Sequence, residues 1–534
     1  MNDKSVNAIV NWKDLNLSQS DLDFIYNYLL EKEVPMTSWE LSKAIIDEHI
    51  RLFRKELQKK EKSRGQVYRP NRDYQMGEEI LFPSSDNQKA KVINIRQGNN
   101  PDLPDFNAIT FLFEDGTEKE FAGSLQDHRL NSFDYYSSDS EFLLDPEEVL
   151  DRFGGSISKK VRQLLAQSDG LFTLADFWFP KALLSEVNLG YLNLAEAALE
   201  MEEGQPVQTR KILEAIEYPM DSNDLLTEFS FNYALYKDDR FDEVGPTGKV
   251  LWVLKLLEPE DVRKKPLTLK YYGIDSEKAD INGYSLDHLQ IHDELDPDNQ
   301  IAPETEIKTF DICINYPHWK AGSLPLIGSI RPIFPTALET DKVIFEFVDK
   351  NKSSKFPGWV LVKENYVSGL KQWYRENHII PGSFIRLRKI DNSTDVEISM
   401  IPPRSSKDWI RTAVFDSKGK IHFEIRQQPI NTDFDERMCI YVENNPQLDL
   451  IWDQNNKPDI NFGKLVENIF KEISSDNPQG IVHFLELYAA VNMLHRCPPK
   501  PLLATLIHND HFEILDNYYF KINSKESKLE TEYE

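Results

Sequence analysis

Residues 245–249 read Gly-Pro-Thr-Gly-Lys, two glycines and a lysine in the style of a phosphate-cradling loop. Such a loop spaces Gly-x-x-x-x-Gly-Lys ahead of a Ser or Thr. Its first glycine opens the backbone nest, and its hydroxyl holds the metal. Here Glu243 stands at the first-glycine position and Val250 at the hydroxyl position. A carboxylate would face the phosphate and the metal would lack its ligand, so the run is not a nucleotide site.

Other reactive groupings also have plainer explanations. His288 and His292 lie four apart, as a helical zinc pair would. They sit at the head of a segment, 287–306, with seven Asp/Glu, no Lys/Arg and two prolines, which reads as an acidic linker. His508 and His511 flank the start of a strand and read as surface residues. His378 could act as a base, but no serine–acid pair is placed with it. Asp102, Glu118 and Lys119 could imitate the carboxylate set of a nuclease. Glu118 and Lys119, however, follow the two-residue Asp115-Gly116 turn, where ordinary solvent-exposed hairpin residues belong. The three cysteines, Cys313, Cys439 and Cys497, are odd in number and far apart, so neither a disulfide framework nor a cysteine zinc site is expected. A reducing, cytoplasmic location fits.

A formal charge of −27 opposes nucleic-acid binding, which needs a cationic face to displace counterions from phosphate. The charge is uneven, however. Residues 51–72 hold nine Lys/Arg against two Asp/Glu, and residues 350–411 hold twelve against six. Cationic blocks on an acidic chain predict a local anionic partner, with the acidic remainder keeping the protein soluble. The competing explanation is that lysines on solvated faces cluster by chance.

The elements that must position these groups follow from periodicity. At 534 residues, 40% hydrophobic and 11% aromatic, the chain is globular and too long for one core, so three to five domains are expected. No apolar run long enough to span a bilayer and no charged-then-apolar leader is visible. Leu226, Phe229, Tyr233 and Tyr236 recur at helical spacing. Phe241 and Val244 then alternate into the glycine turn, and Val250, Trp252 and Leu254 alternate out of it. The opening run is therefore expected to be the tip of a hairpin. Residues 502–522 repeat the pattern, with Leu506, Asp510, Phe512, Glu513 and Leu515 spaced as Leu235, Asp239, Phe241, Asp242 and Val244 are. Upstream, 34–45 (VPMTSWELSKAI) aligns with 205–216 (QPVQTRKILEAI) through Pro35/Pro206, Ser38/Thr209, Leu41/Ile212 and Ala44-Ile45/Ala215-Ile216.

These helix–proline–helix beginnings, and the endings around Asp239-Arg240-Phe241 and Asp510-His511-Phe512, resemble the HARE-type helix-turn-helix family. That family includes the N-terminal domain of the bacterial RNA polymerase delta subunit. Three units are expected, near 17–66, 187–257 and 462–523. The first departs from the pattern, since a basic run follows its second helix. The resemblance implies a winged-helix fold and binding to DNA or to polymerase. The helix at 225–236 offers Thr227, Glu228 and Asn232 between Asp224 and Asp238, an acidic face that predicts packing on protein rather than in a groove.

Residues 77–123 alternate in short strands about the Asp115-Gly116 hairpin and predict a small barrel. Residues 309–443 are also mostly strand-like, with one short helix before Pro381-Gly382. They resemble the pseudobarrel DNA-binding domains of plant transcription factors and of restriction-enzyme effector domains. In this block cations are interleaved with Trp359, Tyr366, Trp373, Tyr374 and Trp409. The aromatics are expected in the barrel core, and Arg386 and Arg388, alternating on one strand face, are expected to meet an anion.

The expected fold class is α+β and multi-domain, with winged-helix units, a small β-barrel and a larger, mostly-β pseudobarrel. Its parts are a helix-turn-helix-like unit over 1–66, the small barrel over 67–145 and a winged-helix domain over 146–260. They are followed by an acidic linker over 261–308, the pseudobarrel over 309–443, a second winged-helix domain over 444–523 and a disordered tail over 524–534. The expected function is that of a non-enzymatic, transcription-associated protein that binds DNA, duplex first. Its candidate contacts are Lys352, Lys355, Lys363, Lys371, Arg375, Arg386, Arg388, Lys389, Arg404, Lys407 and Arg411, with Arg51, Arg54, Lys55 and Lys59. The alternative is an acidic adaptor that docks on RNA polymerase or another protein machine without touching DNA. An enzyme site assembled across domains is a third possibility. No catalytic residue, metal, cofactor, membrane or small-molecule ligand is expected.

Overall fold

The computed structural model describes residues 12–64, 66–82, 88–100, 105–131, 145–220, 223–303, 305, 307–402, 406–416, 420–443, 446–455, 457, 460–475 and 477–523. Of residues 56–64 and 406 it describes the backbone alone. The expected tail over 524–534, Asp102 and Arg404 fall outside these residues, as does the side chain of Lys59. The chain mixes helix and sheet, one of its sheets curls into a half-barrel, and it divides into two compact units at Leu184/Ser185. No described helix is long and apolar enough to cross a membrane.

The first unit opens with α1 (Gln19–Lys32), β1 (Met36–Thr37) and the long α2 (Ser38–Arg64). Ser18 and Asp21 form a capping box at the start of α1, satisfying N–H groups that the helix itself cannot. Five strands follow: β2 (Gln66–Val67), β3 (Glu79–Phe82), β4 (Gln88–Gln97), β5 (Asn107–Phe113) and β6 (Glu118–Gly123). Their order is sequential, with β2 and β3 parallel and the rest antiparallel. A side chain links the first and last strands of this sheet. The Tyr68 hydroxyl, one residue past β2, donates to the Ala122 carbonyl of β6 at 2.6 Å. Tyr68, Tyr74, Phe82, Phe111 and Phe113 fill the interior.

The unit closes with α3 (Pro146–Leu165) and the hairpin of β7 (Leu171–Leu174) and β8 (Phe177–Pro180). β8 pairs with β1, Met36 opposite Trp178 and Thr37 opposite Phe177. The hairpin missing after α2 in sequence is therefore supplied from beyond the curled sheet, which is an insertion. Residues 146–184 belong to this first unit, not to one domain running to 260. The halves are locked by Ser38, whose hydroxyl donates to Asp176 at 2.7 Å, and by Arg162 on Asp176 at 2.8 Å.

The second unit begins with α4 (Leu189–Met201), β9 (Val207–Gln208), α5 (Thr209–Ala215), α6 (Asp224–Lys237), β10 (Phe241–Glu243), β11 (Leu251–Leu254) and α7 (Glu260–Arg263). A large mixed sheet follows, built from β12 (Thr309–Cys313), β13 (Ser323–Pro325), β14 (Lys342–Asp349), β15 (Lys355–Leu361), β16 (Tyr366–Ser368), β17 (Phe384–Lys389) and β18 (Val396–Met400). Two short helices interrupt it, α8 (Tyr316–Ala321) and α9 (Lys371–Glu376). The strand order is β12-β17-β18-β14-β15-β16-β13, with only β14 and β18 parallel among these pairs. A three-stranded sheet, β20-β19-β21, comes next, from β19 (Ser406–Phe415), β20 (Ile421–Ile430) and β21 (Ile440–Val442). The described chain ends with α10 (Pro446–Asn455), α11 (Phe462–Ser474), β22 (Ile481–His483), α12 (Phe484–Leu494), α13 (Pro499–Ile507), β23 (Phe512–Ile514) and β24 (Tyr519–Ile522).

Three sheets share one order: β1-β8-β7, β9-β11-β10 and β22-β24-β23. In each, the last strand lies between the first and the second, and each follows the element run helix–strand–helix–helix–strand–strand. The first departs only by its insertion.

Residues 261–308, expected as a linker, are instead folded into the second unit. Leu269, Leu286 and Ile291 are buried, and so are Asp293 and Glu294. Arg496 donates to Asp293 at 2.6 and 2.8 Å and to Glu294 at 3.0 Å, while His318 reaches Glu294 at 2.8 Å. Asp293 and Glu294 of this segment answer an arginine about 200 residues away rather than solvent, and composition alone cannot register that. His288 lies on the Tyr518 ring and His292 against Phe310, each with its own aromatic neighbour.

Candidate nucleic-acid interface

Most of the cations singled out in the sequence face carboxylates. Arg386 and Arg388 do share one face of β17, but each is covered by the acid directly across the sheet. Arg386 makes a two-pronged bond to Asp311, 2.6 Å on each arm, and Arg388 one to Glu397 at 2.6 and 2.9 Å. Lys352 pairs with Glu376 at 3.2 Å, Lys355 with Glu346 and Asp395 at 2.9 and 2.7 Å, and Lys363 with Asp341. Arg411 reaches Glu486 of α12 at 2.9 Å, and Arg51 reaches Glu48 at 2.7 Å. Lys389 and Arg54 are engaged as well, and Lys55 helps hold Glu48 below its ordinary range, behind the larger effect of the Arg51 hydrogen bond. Exposed pairs add little stability, yet they cancel the field that would draw a polyanion. Cations alternating on a strand are legible in the sequence; the acids opposite them depend on register.

Three of the candidates have no carboxylate partner among the described residues: Lys371, Arg375 and Lys407. Lys371 and Arg375 are four apart on α9, hence on one side of it. Two buried residues of this helix anchor it, the Trp373 indole donating to buried Asp349 at 2.8 Å and the Tyr374 hydroxyl to the Ser323 carbonyl at 2.9 Å. Gly322, which ends α8 at φ 71°, sits so close to α9 that a Cβ there would lie 2.4 Å from the Lys371 Cβ. Only glycine fits this crossing.

Lys371 and Arg375, with His378, Trp319, Pro429 and Tyr441, line a groove of about 650 Å³. The Trp319 indole is fixed by donating to the Ile379 carbonyl at 2.6 Å. Lys320 at the margin is held by Asp449 at 2.7 Å, and Glu443 adds one carboxylate. Across the β19–β20 ladder Lys407 lies opposite Pro429, Trp409 opposite Gln427 and Arg411 opposite Ile425. Alternate residues of a strand share a face, so Lys407 and Trp409 stand on the face of Pro429, while Tyr441, paired with Thr412, belongs to the other face of this sheet. Trp409 is 69% exposed and Ile425 50%. Trp359, Tyr366, Trp373 and Tyr374 are core residues, as expected, whereas Trp409 is not.

Described residues of both helix–hairpin units in this half of the chain are docked on its other segments. Thr227 and Asn232 of α6, expected on its outer face, are buried, and Asn232 accepts from Thr209 at 2.6 Å and from the Trp252 indole at 2.9 Å. The Gly245–Gly248 turn is a hairpin tip joining β10 to β11, and it is docked on the segment leading into the large sheet. Thr247 donates its N–H and its hydroxyl to the Thr336 carbonyl, both at 2.7 Å, and Val244 accepts from Ile344 at 2.9 Å. In the last unit Tyr518 donates to the Ser285 carbonyl, and Lys500 of α13 pairs with Asp298 at 2.7 Å.

No family model, curated protein or solved structure matches the chain. Nothing in the sequence brings Trp319, His378, Pro429 and Tyr441 together, because they come from four separate elements and connections. The one local signal is the four-residue spacing of Lys371 and Arg375.

Proposed function

We propose that this chain is a non-enzymatic nucleic-acid-binding protein, associated with transcription, whose contact surface is the α9 groove and the adjoining β19–β20 face. One observation carries the reading. The candidate cations without a carboxylate among the described residues are Lys371 and Arg375, which line the groove, and Lys407, which stands opposite the groove's Pro429 and next on its strand face to the exposed Trp409. Cations satisfy phosphates and aromatic faces accept bases, so the combination suits a nucleic-acid strand. The resemblance to pseudobarrel domains supports it, since the large sheet carries two short helices. In this reading the three repeated units are winged helices of the HARE type, and those of the second half brace the chain instead of entering a groove. An electrophoretic shift with random-sequence DNA at physiological salt tests it; no retarded species would end it.

A second reading, an acidic adaptor for RNA polymerase or another protein machine, is favoured by the carboxylate cover over Arg386, Arg388 and their neighbours and by the charge of −27. Retention of polymerase without any DNA shift would select it.

A further inference from the structure

We infer that this surface takes single-stranded nucleic acid in preference to duplex, with Trp409 as a stacking platform for an unpaired base. The inference rests on the nucleic-acid reading above and goes further by naming the form of the ligand.

Trp409 carries it. A tryptophan is among the largest apolar side chains, and leaving one in water forfeits stabilisation that burial would supply. Here the indole stands out from a ten-residue strand, opposite Gln427, with no aromatic or cationic partner among the described residues. Its neighbours on the same face are Lys407 on one side and Arg411 on the other. Same-face side chains of a strand stand about 7 Å apart, room for a base on the indole and its phosphate on the ammonium of Lys407. Arg411 is turned to Glu486 and so leaves the other flank neutral.

Charge decides between the two forms. Duplex DNA presents one charge per about 1.7 Å, and its affinity grows with the number of phosphates neutralised. Three cations on a chain of net charge −27 make a weak duplex site. A single strand carries half that density along its length and exposes the π-faces of its bases, which a duplex hides. A flexible strand can also turn at Pro429 on β20, from the Trp409 face of the sheet to the groove of Trp319 and Tyr441, where Lys371 and Arg375 stand. A duplex is too stiff to follow.

The test uses the full chain and fluorescence anisotropy with three labelled probes: an oligothymidine of about 15 nucleotides, a duplex of equal length and an abasic strand of equal length. Expected is at least about 10-fold tighter binding of the oligothymidine than of the duplex. Trp409→Ala should weaken the oligothymidine about 10-fold and leave the abasic strand unchanged, with Trp409→Phe falling between. The melting temperature of both variants is read alongside. Because Trp409 is exposed it should not move, and Trp409→Phe keeps the test valid if the alanine variant melts early. Duplex binding as tight as single-strand binding, or equal losses on the thymidine and abasic strands, would overturn the inference while leaving nucleic-acid binding intact. Failure to bind any probe would remove both and point to a protein segment as the occupant of the Trp409 face.

Discussion

Arg496 and Asp293 lie 203 residues apart in sequence and meet in a two-pronged, fully buried pair. Tyr488 donates to the same carboxylate at 2.6 Å, and Glu294, held below its ordinary range by Arg496 and His318 against the effect of burial, completes the cluster. The pair fastens the last helix–hairpin unit to the acidic segment before the large sheet. Removing one member of a buried pair strands the other charge at a cost of about 3–5 kcal/mol. Arg496→Met should lower the unfolding free energy by that amount in urea. Arg496→Met with Asp293→Leu should cost less than the two single changes summed, because no charge of the pair is then left alone.

Arg375 and Arg386 should separate cleanly in binding. A side chain that neutralises one phosphate contributes about 0.7–0.9 to the salt slope of nucleic-acid affinity. Arg375→Gln should flatten the slope by about that amount. Arg386→Gln should not, since Asp311 already occupies its guanidinium. Equal slopes for both variants would remove α9 from the interface.

Glu243 gives the stability a pH dependence. Burial in the β10–β11 hairpin raises its carboxyl from an ordinary 4.5 to about 7, despite hydrogen bonds from the Gly245 and Leu251 N–H groups that act the other way. Between these two values the folded chain binds a proton that the unfolded chain has released. Stability therefore falls as pH rises from about 4.5 to about 7 and levels off above. Glu243→Gln should raise the unfolding free energy at pH 8 by about 1–3 kcal/mol and remove this share of the slope. Denaturant melts at several pH values would measure both.

Gly322 ties the fold to the groove. A side chain there meets α9 and forces a left-handed backbone on a residue that resists it. Gly322→Ala should cost about 1–3 kcal/mol and weaken nucleic-acid binding as well, because it displaces the helix carrying Lys371 and Arg375. Intact binding in a destabilised variant would show that the placement of α9 is immaterial.

Local patterns are legible where the physics is local. Apolar spacing in 225–236 and 502–507 marks helices, alternation about Gly245–Gly248 marks a hairpin, and the match of 34–45 with 205–216 marks a repeat. The first unit looks incomplete in sequence because its hairpin pairs with β1 across an insertion, and no neighbour in sequence announces that. Lysines and arginines counted along the chain suggest a cationic block. Strand register then sets Asp311 against Arg386 and Glu397 against Arg388, and Coulomb's law acts on neighbours in space.

By itself, then, the order of residues determined which segments coil, which extend and where the cations are concentrated, since these depend on each residue and the few beside it. Only the tertiary structure decided which cations are covered by acids, why the acidic 293–294 pair is buried, and that Trp409 reaches solvent. Those outcomes depend on which distant groups share a low-dielectric interior or a strand ladder, and such distances exist only once the chain has folded.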